Sequence, residues 1–472
     1  MTTKLELTKG GYSGQVKGFS ITEDATTIDP ASKTGGVGQI NAEVNANSET
    51  KYAINGNMTL TTDYGATHQA KVLTVDTSNG DATLSADSLL GRTVSDHQVP
   101  PFNGTLRNAF TTYLARVGLV PTFHASVPST TVALPGWNGN LWDYLKDLLV
   151  AYRLEIATVG SQIVVRPVGT TTLDTRNLLS ESTSITRQDA AKQIEVFWYN
   201  NTWRTNGECY PGVDDDILTM PVFSVGAGEV LTTTVAISAS LQTVNQPTCV
   251  DLVAAGDYSG TVGRYSVAGN DGNLITAAQW IARGGQLRVR ILPDDPHTLE
   301  ITVVGMDDET AAPYAIGVNG VNNALYNSLH ITGTGTFTNP ESAVLDTGST
   351  DADTGEAIGV TVENPFISTK GQALSLGLKS AQNKNLQMSW SGSRASGALG
   401  TTAGARFRQE DAVYRVDSAG FSPDGVSLSA SLDTLASDFD AVWSGATNAQ
   451  FNTVWAGRLA GDFDLAPLRR PA

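Results

Sequence analysis

The sequence contains little that would support covalent or redox chemistry. It has two cysteines and five histidines in 472 residues. Cys209 and Cys249 lie 40 positions apart, without CxxC spacing or paired histidines nearby, so they indicate neither a zinc site nor a redox dithiol. Synthesis in the cytoplasm favours two free thiols, and one disulfide is the alternative if the protein later meets an oxidising exterior.

Positive charge and long apolar runs are also scarce. The 30 basic residues are outnumbered by 47 acidic ones, which gives a formal charge of −17 and disfavours a protein that binds nucleic acid through its phosphates. We find no run of about 18 apolar residues and no signal-peptide core in the opening MTTKLELTKGG. The sequence therefore predicts a soluble chain made in the cytoplasm.

Short apolar runs separated by turn residues are abundant, and they predict a mainly β protein with a minor α+β part. Runs such as KLELT, QLRVRIL and TLEITVVG lie between Gly, Asn, Asp and Ser, which is typical of antiparallel strands. We expect several small β-barrel or β-sandwich domains with a few short helices. The predicted units are an N-terminal β-domain (1–100), a helix plus helix-hairpin unit (101–170), a β-rich region (171–365), a closing β-domain (366–435) and a C-terminal repeat arm (436–472).

Helical periodicity is confined to a few stretches. Apolar spacing predicts a helix over 104–117, a short one in TAAQWIARGG, and another near 370–381. The strongest pattern covers 141–152, where Asn140 is placed to cap the helix. Its predicted inward face is formed by Leu141, Tyr144, Leu145, Leu148 and Leu149.

A hairpin is predicted directly after that helix. Two β-like runs, Leu154–Val159 and Gln162–Val168, flank Gly160-Ser161, a two-residue link that suits a tight turn. Because proline donates no ladder hydrogen bond, Pro167 predicts that the second strand ends at a sheet edge.

The C-terminal arm is an internal repeat of twelve residues. Phe439, Phe451 and Phe463 are spaced by twelve, and Trp443 and Trp455 follow the first two phenylalanines by four, a spacing that puts each pair on one helix face. Twelve residues cannot bury such a face alone. One interpretation is a strap packed on the chain's own domains; the other is a partner-binding arm with these five aromatics as anchors.

The motifs that could carry chemistry all have simpler explanations. AVLDTGST at 343–350 has the form of an aspartic protease loop, but its second Asp-Thr-Gly triplet, at 353–355, is too close to be the mate from another lobe. The acidic clusters around Asp214 and Asp351 lack the EF-hand order, and the five single histidines form no ligand pair. The sequence thus predicts no catalytic, cofactor-binding or metal-binding residue and no enzyme.

Three stretches resemble minor tail proteins of long-tailed phages that infect actinobacteria and, more distantly, baseplate hub proteins. They are WNGNLWDYLKDLLVAYRLEIATVGSQIVVRPVG, the NPFIST segment with YRVDSAGFSPDGVSLSASLDT, and DFDAVWSGATNAQFNTVWAGRLAGDFDLAPL. The resemblance covers about 100–170 and 365–472. It implies a non-catalytic homotrimeric hub in the virion tail tip, without cofactors, which contacts a distal tail protein, the tape measure protein and tip or fibre proteins while DNA passes through its lumen.

The region 205–365 departs from that family because it is longer and richer in strands than a minimal hub barrel. It suggests an inserted sandwich and an alternative function, a receptor- or carbohydrate-binding tail protein that contacts the host envelope. Trp198, Tyr199, Trp203 and Trp280 are its candidate stacking residues, although aromatic residues on such strands are more often core. A peptidoglycan-cleaving tail enzyme is the third possibility, but it lacks a site.

Overall fold

The computed structural model describes most of the chain up to residue 435. The described residues are 3–24, 38–62, 67–159, 162–173, 178–187, 191–211, 223–251, 263–269, 275–307, 314–316, 318–321, 324–327, 329–346, 358–394, 403–409 and 412–435. Strands dominate them, so the prediction of a mainly β protein with a few short helices is confirmed.

Five α-helices lie in this part of the chain. They are α1 Ser48–Lys51, α2 Leu106–Ala115, α3 Leu141–Tyr152, α4 Ala277–Ala282 and α5 Lys370–Asn385, with a 3-10 turn at Leu89–Thr93. The helix predicted over 104–117 is shorter because Thr105 serves as its N-cap, its hydroxyl accepting a hydrogen bond from the Asn108 N–H at 3.3 Å. Gly118 beyond the helix has φ +72°, as the predicted glycine after a helix end requires.

The strands are short and follow one another closely. Those up to residue 199 are β1 Lys4–Leu7, β2 Ser13–Gln15, β3 Gly18–Asp24, β4 Gln39–Asn45, β5 Asn57–Thr61, β6 Thr67–Ser78, β7 Asp81–Ser88, β8 Asp96–Val99, β9 Phe102–Thr105, β10 Pro121–Phe123, β11 Thr131–Leu134, β12 Trp137–Asn140, β13 Leu154–Val159, β14 Gln162–Pro167, β15 Leu178–Arg187 and β16 Ala191–Tyr199.

The strands of the second half are β17 Thr202–Tyr210, β18 Phe223–Val225, β19 Val230–Ala236, β20 Ala239–Val244, β21 Thr248–Cys249, β22 Arg264–Tyr265, β23 Val267–Gly269, β24 Gln286–Leu292, β25 Asp295–Val304, β26 Tyr314–Ile316, β27 Val318–Val321, β28 Ala324–Asn327, β29 Ile331–Phe337, β30 Pro340–Asp346, β31 Ile358–Val362, β32 Leu386–Arg394, β33 Arg406–Gln409, β34 Ala412–Ser422 and β35 Gly425–Leu435.

One twelve-stranded sheet joins the two ends of the described chain. Its order is β15-β32-β35-β34-β3-β4-β7-β6-β5-β1-β2, with β33 beside β34. Alternating apolar residues face one side, as in β7, where Ala82, Leu84 and Ala86 are buried. Antiparallel pairing of Ile21 with Phe421 connects the first and last groups of strands. Strands β1–β7 of the predicted unit 1–100 and strands β32–β35 of the predicted unit 366–435 therefore share one sheet and one hydrophobic core.

A second core surrounds the helices. It combines α2, α3, α5 and short strand pairs with β16 and β31. The predicted hairpin is present as β13 and β14, with Val159 opposite Gln162; the link at 160–161 lies outside the described residues. Strand β14 lies between β10 and β13, but Pro167 at its end has only β13 beside it, as the predicted edge requires. Pro167 is tolerated since β10 pairs only with 163–165.

The strand-rich region has a third core of its own. Strands β17 to β29 form small sheets around an apolar cluster that contains the fully buried Trp280. The two ends of this region meet, because Tyr199 pairs with Pro340 and the Asn200 N–H donates to the Asn339 carbonyl at 3.0 Å. The chain thus leaves the helix-containing body and returns to it at one point, which gives residues 201–338 the form of an insertion.

Candidate functional site

The helix-hairpin unit is built around Tyr144 on α3. Asn140 caps the helix as predicted, its side-chain oxygen accepting a hydrogen bond from the Trp142 N–H at 2.9 Å. All five residues predicted to face inward are buried. The Tyr144 ring packs edge-on against Tyr113, with ring centroids 5.1 Å apart, and against Phe366, at 4.8 Å. These contacts fix α3 against α2 and against a segment more than 200 residues later in the chain.

The NPFIST segment enters this core through side-chain hydrogen bonds. The Asn364 side-chain amide donates to the Asp147 carbonyl at 2.8 Å, while its oxygen accepts from the Phe366 N–H at 2.9 Å. The Gln372 amide donates to the carbonyl of Ala151 in the last turn of α3. Asn364, Phe366 and Gln372 therefore hold α5 alongside α3.

A buried charge cluster joins the hairpin to the large sheet. Glu155 on β13 lies directly opposite Arg166 on β14, and the Arg166 Nε donates to its carboxylate at 2.6 Å. The Arg415 guanidinium, 260 residues away, donates to the other oxygen at 3.2 Å. Arg166 also donates to the Ala403 carbonyl at 3.3 Å. One carboxylate thus binds two guanidiniums from different parts of the fold.

A second ion pair lies at the end of the last described strand. Asp433 on β35 is buried and pairs with Arg406 on β33. The Arg406 backbone donates to the Thr171 carbonyl at 2.8 Å and accepts from the Leu173 N–H at 2.7 Å. These bonds tie the segment after the hairpin to the large sheet. A buried charge is stable only when it is paired. The pairs of Glu155 and of Asp433 therefore hold the hairpin and the segment after it against the large sheet.

A small cavity lies next to the charge cluster. Its volume is about 40 Å³, and it is lined by Glu23, Ile40, His68, Leu90, Thr158 and Ala403. Burial raises the pKa of Glu23 to about 7, although Arg166 and a hydrogen bond from the Ala403 backbone lower it. Burial also lowers the pKa of His68 to about 4. The carboxyl and the imidazole are 3.8 Å apart, in a space that suits ordered water but no larger ligand.

This junction of buried charges was missed from the sequence, although a signal for part of it was present. With a two-residue link at 160–161, the predicted hairpin register already places Glu155 opposite Arg166. An opposite-charge pair within two otherwise apolar strands indicates a buried ion pair. The third partner, Arg415, could not be inferred from local pattern.

The structure does not describe the five residues that the sequence predicts to bind partners. Phe439, Trp443, Phe451, Trp455 and Phe463 all lie outside the described residues, and their role stays a prediction. The acidic stretch after Asp346 and the cluster at 214–216 also lie outside them.

The candidate stacking aromatics divide into two groups. Trp280 is fully buried and its indole N–H donates to the Tyr265 hydroxyl at 3.2 Å, and Trp198 is 6% exposed in the helix-containing core. Tyr199 and Trp203 are half-buried. The core interpretation therefore holds for the two buried tryptophans.

The cysteines are two free, buried thiols. Burial raises the pKa of Cys209 to about 12 and that of Cys249 to about 11, so neither thiol is reactive near neutral pH. Within the described residues, no group of three or more His, Cys, Asp or Glu side chains could hold a metal ion. Nor does that part of the chain contain a helix with the length and apolar character needed to cross a membrane.

No family model and no curated protein matches this chain. It is similar to the solved structure of prophage tail protein gp18 from Listeria monocytogenes EGD-e, with 9% identity, a TM-score of 0.39, and coverage of 97% of this chain and 100% of that one. A tail protein from Neisseria meningitidis MC58 has 11% identity, a TM-score of 0.43, and coverage of 92% and 96%.

A third similar structure is the prophage MuSo2 43 kDa tail protein from Shewanella oneidensis. Its identity is 10% and its TM-score is 0.41, with 92% of this chain and 98% of that chain covered. At such identities, and with TM-scores below 0.5, these likenesses assign neither a fold family nor a function to this chain.

Proposed function

We propose that this protein is a non-catalytic structural component of a long-tailed phage tail tip, a baseplate hub or minor tail protein. The observation that carries the proposal is the packing of two distant stretches that resemble this family. Asn364 and Gln372 bind α3, and Arg415 binds the hairpin at Glu155. The two stretches that resemble this family therefore pack against each other as one unit. We expect such packing if the chain shares the architecture of the family.

The chemistry of that unit suits a structural role. Its buried charges are paired with one another, and the adjoining cavity of about 40 Å³ has room for water only. The junction positions strands and helices without presenting a group to a substrate.

In the proposed assembly three copies surround the tail channel and connect the tail tube to tip or fibre proteins. The distal tail protein and the tape measure protein are the proposed neighbours. A net charge of −17 suits a channel wall because phosphates are repelled from it, so DNA passes without specific binding.

The receptor- or carbohydrate-binding alternative places binding on the 205–365 region, with four stacking candidates in or beside it. Burial of Trp198 and Trp280 removes two of its four stacking candidates. The Tyr199 hydroxyl donates a hydrogen bond to the Glu363 carboxylate at 2.7 Å, so this side chain also stabilises the helix-containing body. We therefore place the hub function first.

Sedimentation of the purified full-length chain separates these functions. A hub should sediment as a trimer, at three times the 49.6 kDa chain mass, and should not bind purified cell-wall glycan. A chain that stays monomeric at high concentration and is pulled down by glycan would contradict the hub function and favour the binding module.

A further inference from the structure

A surface groove lies where α3 ends against α5. It has a volume of about 260 Å³ and is lined by Ala151, Tyr152, Arg153, Gln372, Ser375 and Leu376. Ala151 and Leu376 form a buried apolar floor, while Arg153 is exposed at the rim. At this volume the groove has room for one or two aromatic rings but not for a folded domain.

The last described strand ends beside this groove. The Arg153 backbone carbonyl accepts a hydrogen bond from the Val168 N–H at 3.1 Å. Gly169, which follows Val168, lies against the Arg406 side chain. Arg406 in turn pairs with Asp433 near the end of β35. Asp433 is also close enough to interact electrostatically with the Arg153 guanidinium.

We propose that the first repeat unit of the same chain occupies this groove, with Phe439 and Trp443 on its apolar floor. Phe439 follows Asp433 by six residues, a length of chain that spans roughly 20 Å when extended. Since Phe439 and Trp443 are four residues apart, one helical turn presents both to the same surface.

Charge complementarity supports the same occupant. Asp438 and Asp440 flank Phe439 in the sequence, and Arg153 lies at the rim of the groove. A carboxylate beside that guanidinium would form a charge-assisted pair. The proposal assigns the first repeat unit to the chain's own body and leaves the second unit for another contact. It goes beyond the proposed tail function and does not depend on it.

Hydrogen–deuterium exchange on the full-length chain tests the groove directly. In Phe439→Ala/Trp443→Ala, the backbone amides of 149–153 and 372–376 should exchange about tenfold faster, the change that a loss of about 1.4 kcal/mol in local opening free energy produces. The matched variant Phe451→Ala/Trp455→Ala should leave both segments unchanged. Equal effects of the two variants, or no effect of either, would overturn the proposal.

Proteolysis tests the same docking by measuring protection of the repeat unit. Ser375→Arg places a charged side chain in the groove and should speed chymotrypsin cleavage after Phe439 about tenfold, whereas Ser182→Arg on the exposed strand β15 should not. Unchanged cleavage in Ser375→Arg would contradict docking. Protection that disappears on dilution of the wild-type chain would show that the occupant belongs to a second copy, which also overturns the proposal.

Discussion

The helix-containing body and the inserted region 201–338 reach stability by different means. In the body, residues far apart in sequence meet through buried charges, as Glu155 and Arg415 do over 260 positions. In the insertion, strands between β17 and β29 enclose an apolar core that contains Trp280, and both chain ends leave at one point. We therefore expect folding of the body to depend on contacts between distant parts of the chain, and folding of the insertion to depend mainly on its own residues.

Only a few polar contacts connect the two regions within the described residues. The Gly136 N–H donates to the Ser240 hydroxyl at 2.6 Å, and the Thr336 hydroxyl donates to the Leu134 carbonyl at 2.8 Å. This difference suggests that the body has the assembly role while the insertion is a separable addition. Four substitutions and one deletion sharpen or break the comparison.

Loss of the central carboxylate should have the largest effect. Glu155→Gln leaves Arg166 and Arg415 buried without their counter-charge, which should lower the free energy of unfolding by about 3–5 kcal/mol. Glu300→Gln, which breaks an exposed pair with Arg290 in the insertion, is the matched control and should leave the urea midpoint unchanged. Equal shifts in the two variants would refute the importance of the buried cluster.

The cavity pair should show opposite pH dependences that cancel in the wild type. Glu23 has a raised pKa, so its contribution is present below about pH 4.5 and is lost as the pH rises through about 7. His68 has a lowered pKa, so its contribution is present above about pH 6.5 and is lost as the pH falls through about 4. Between pH 4.5 and 6.5 both states of the pair bind one proton, which leaves no net slope.

Removing either group should expose the slope of the other. Relative to the wild type, Glu23→Gln should lose roughly 3 kcal/mol of stability as the pH falls from 6.5 to 4. His68→Gln should instead gain stability as the pH falls from 7 to 4.5. Urea titrations at several pH values measure both. Parallel curves for all three proteins would mean that the two groups are not coupled to folding.

Weakening the contact between the two regions should have a smaller effect. Ser240→Ala leaves the buried Gly136 N–H without an acceptor and should cost about 1–2 kcal/mol. Ser180→Ala, which removes an exposed hydroxyl pair with Ser393, should be neutral. A loss of more than 4 kcal/mol in Ser240→Ala would show that the regions depend on each other more than the structure suggests.

Excision of the insertion should have the smallest effect on what remains. Replacing residues 201–338 by a short Gly-Ser turn joins Asn200 to Asn339, whose backbones already lie within hydrogen-bond distance. The shortened chain should retain the thermal transition of the body within a few degrees and should still form trimers. If the shortened chain aggregates instead, the body depends on the insertion for its stability, which would contradict the separation of the two regions.

Local features of the fold could be predicted from the sequence. The 141–152 helix, its Asn140 cap and the following hairpin depend on neighbouring residues, and the structure has all three. Pairing of β3 with β34 depends on which strands meet across almost 400 residues. Alternating patterns make many strands equally suitable as partners, so this pairing is not encoded locally.

The candidate site shows the same division. The Glu155–Arg166 half follows from the hairpin register, while the contribution of Arg415 needs the tertiary fold. The surroundings of Pro167 depend on the tertiary fold in the same way. The pairing partner β10 comes from a distant segment, and it is short enough to leave the proline outside the ladder.

Electron cryo-microscopy of an intact tail carrying this chain is the most direct test of the central claim. The proposed hub function predicts threefold density around the channel at the tail tip. Density confined to the periphery of the tail, without threefold arrangement around the channel, would contradict it.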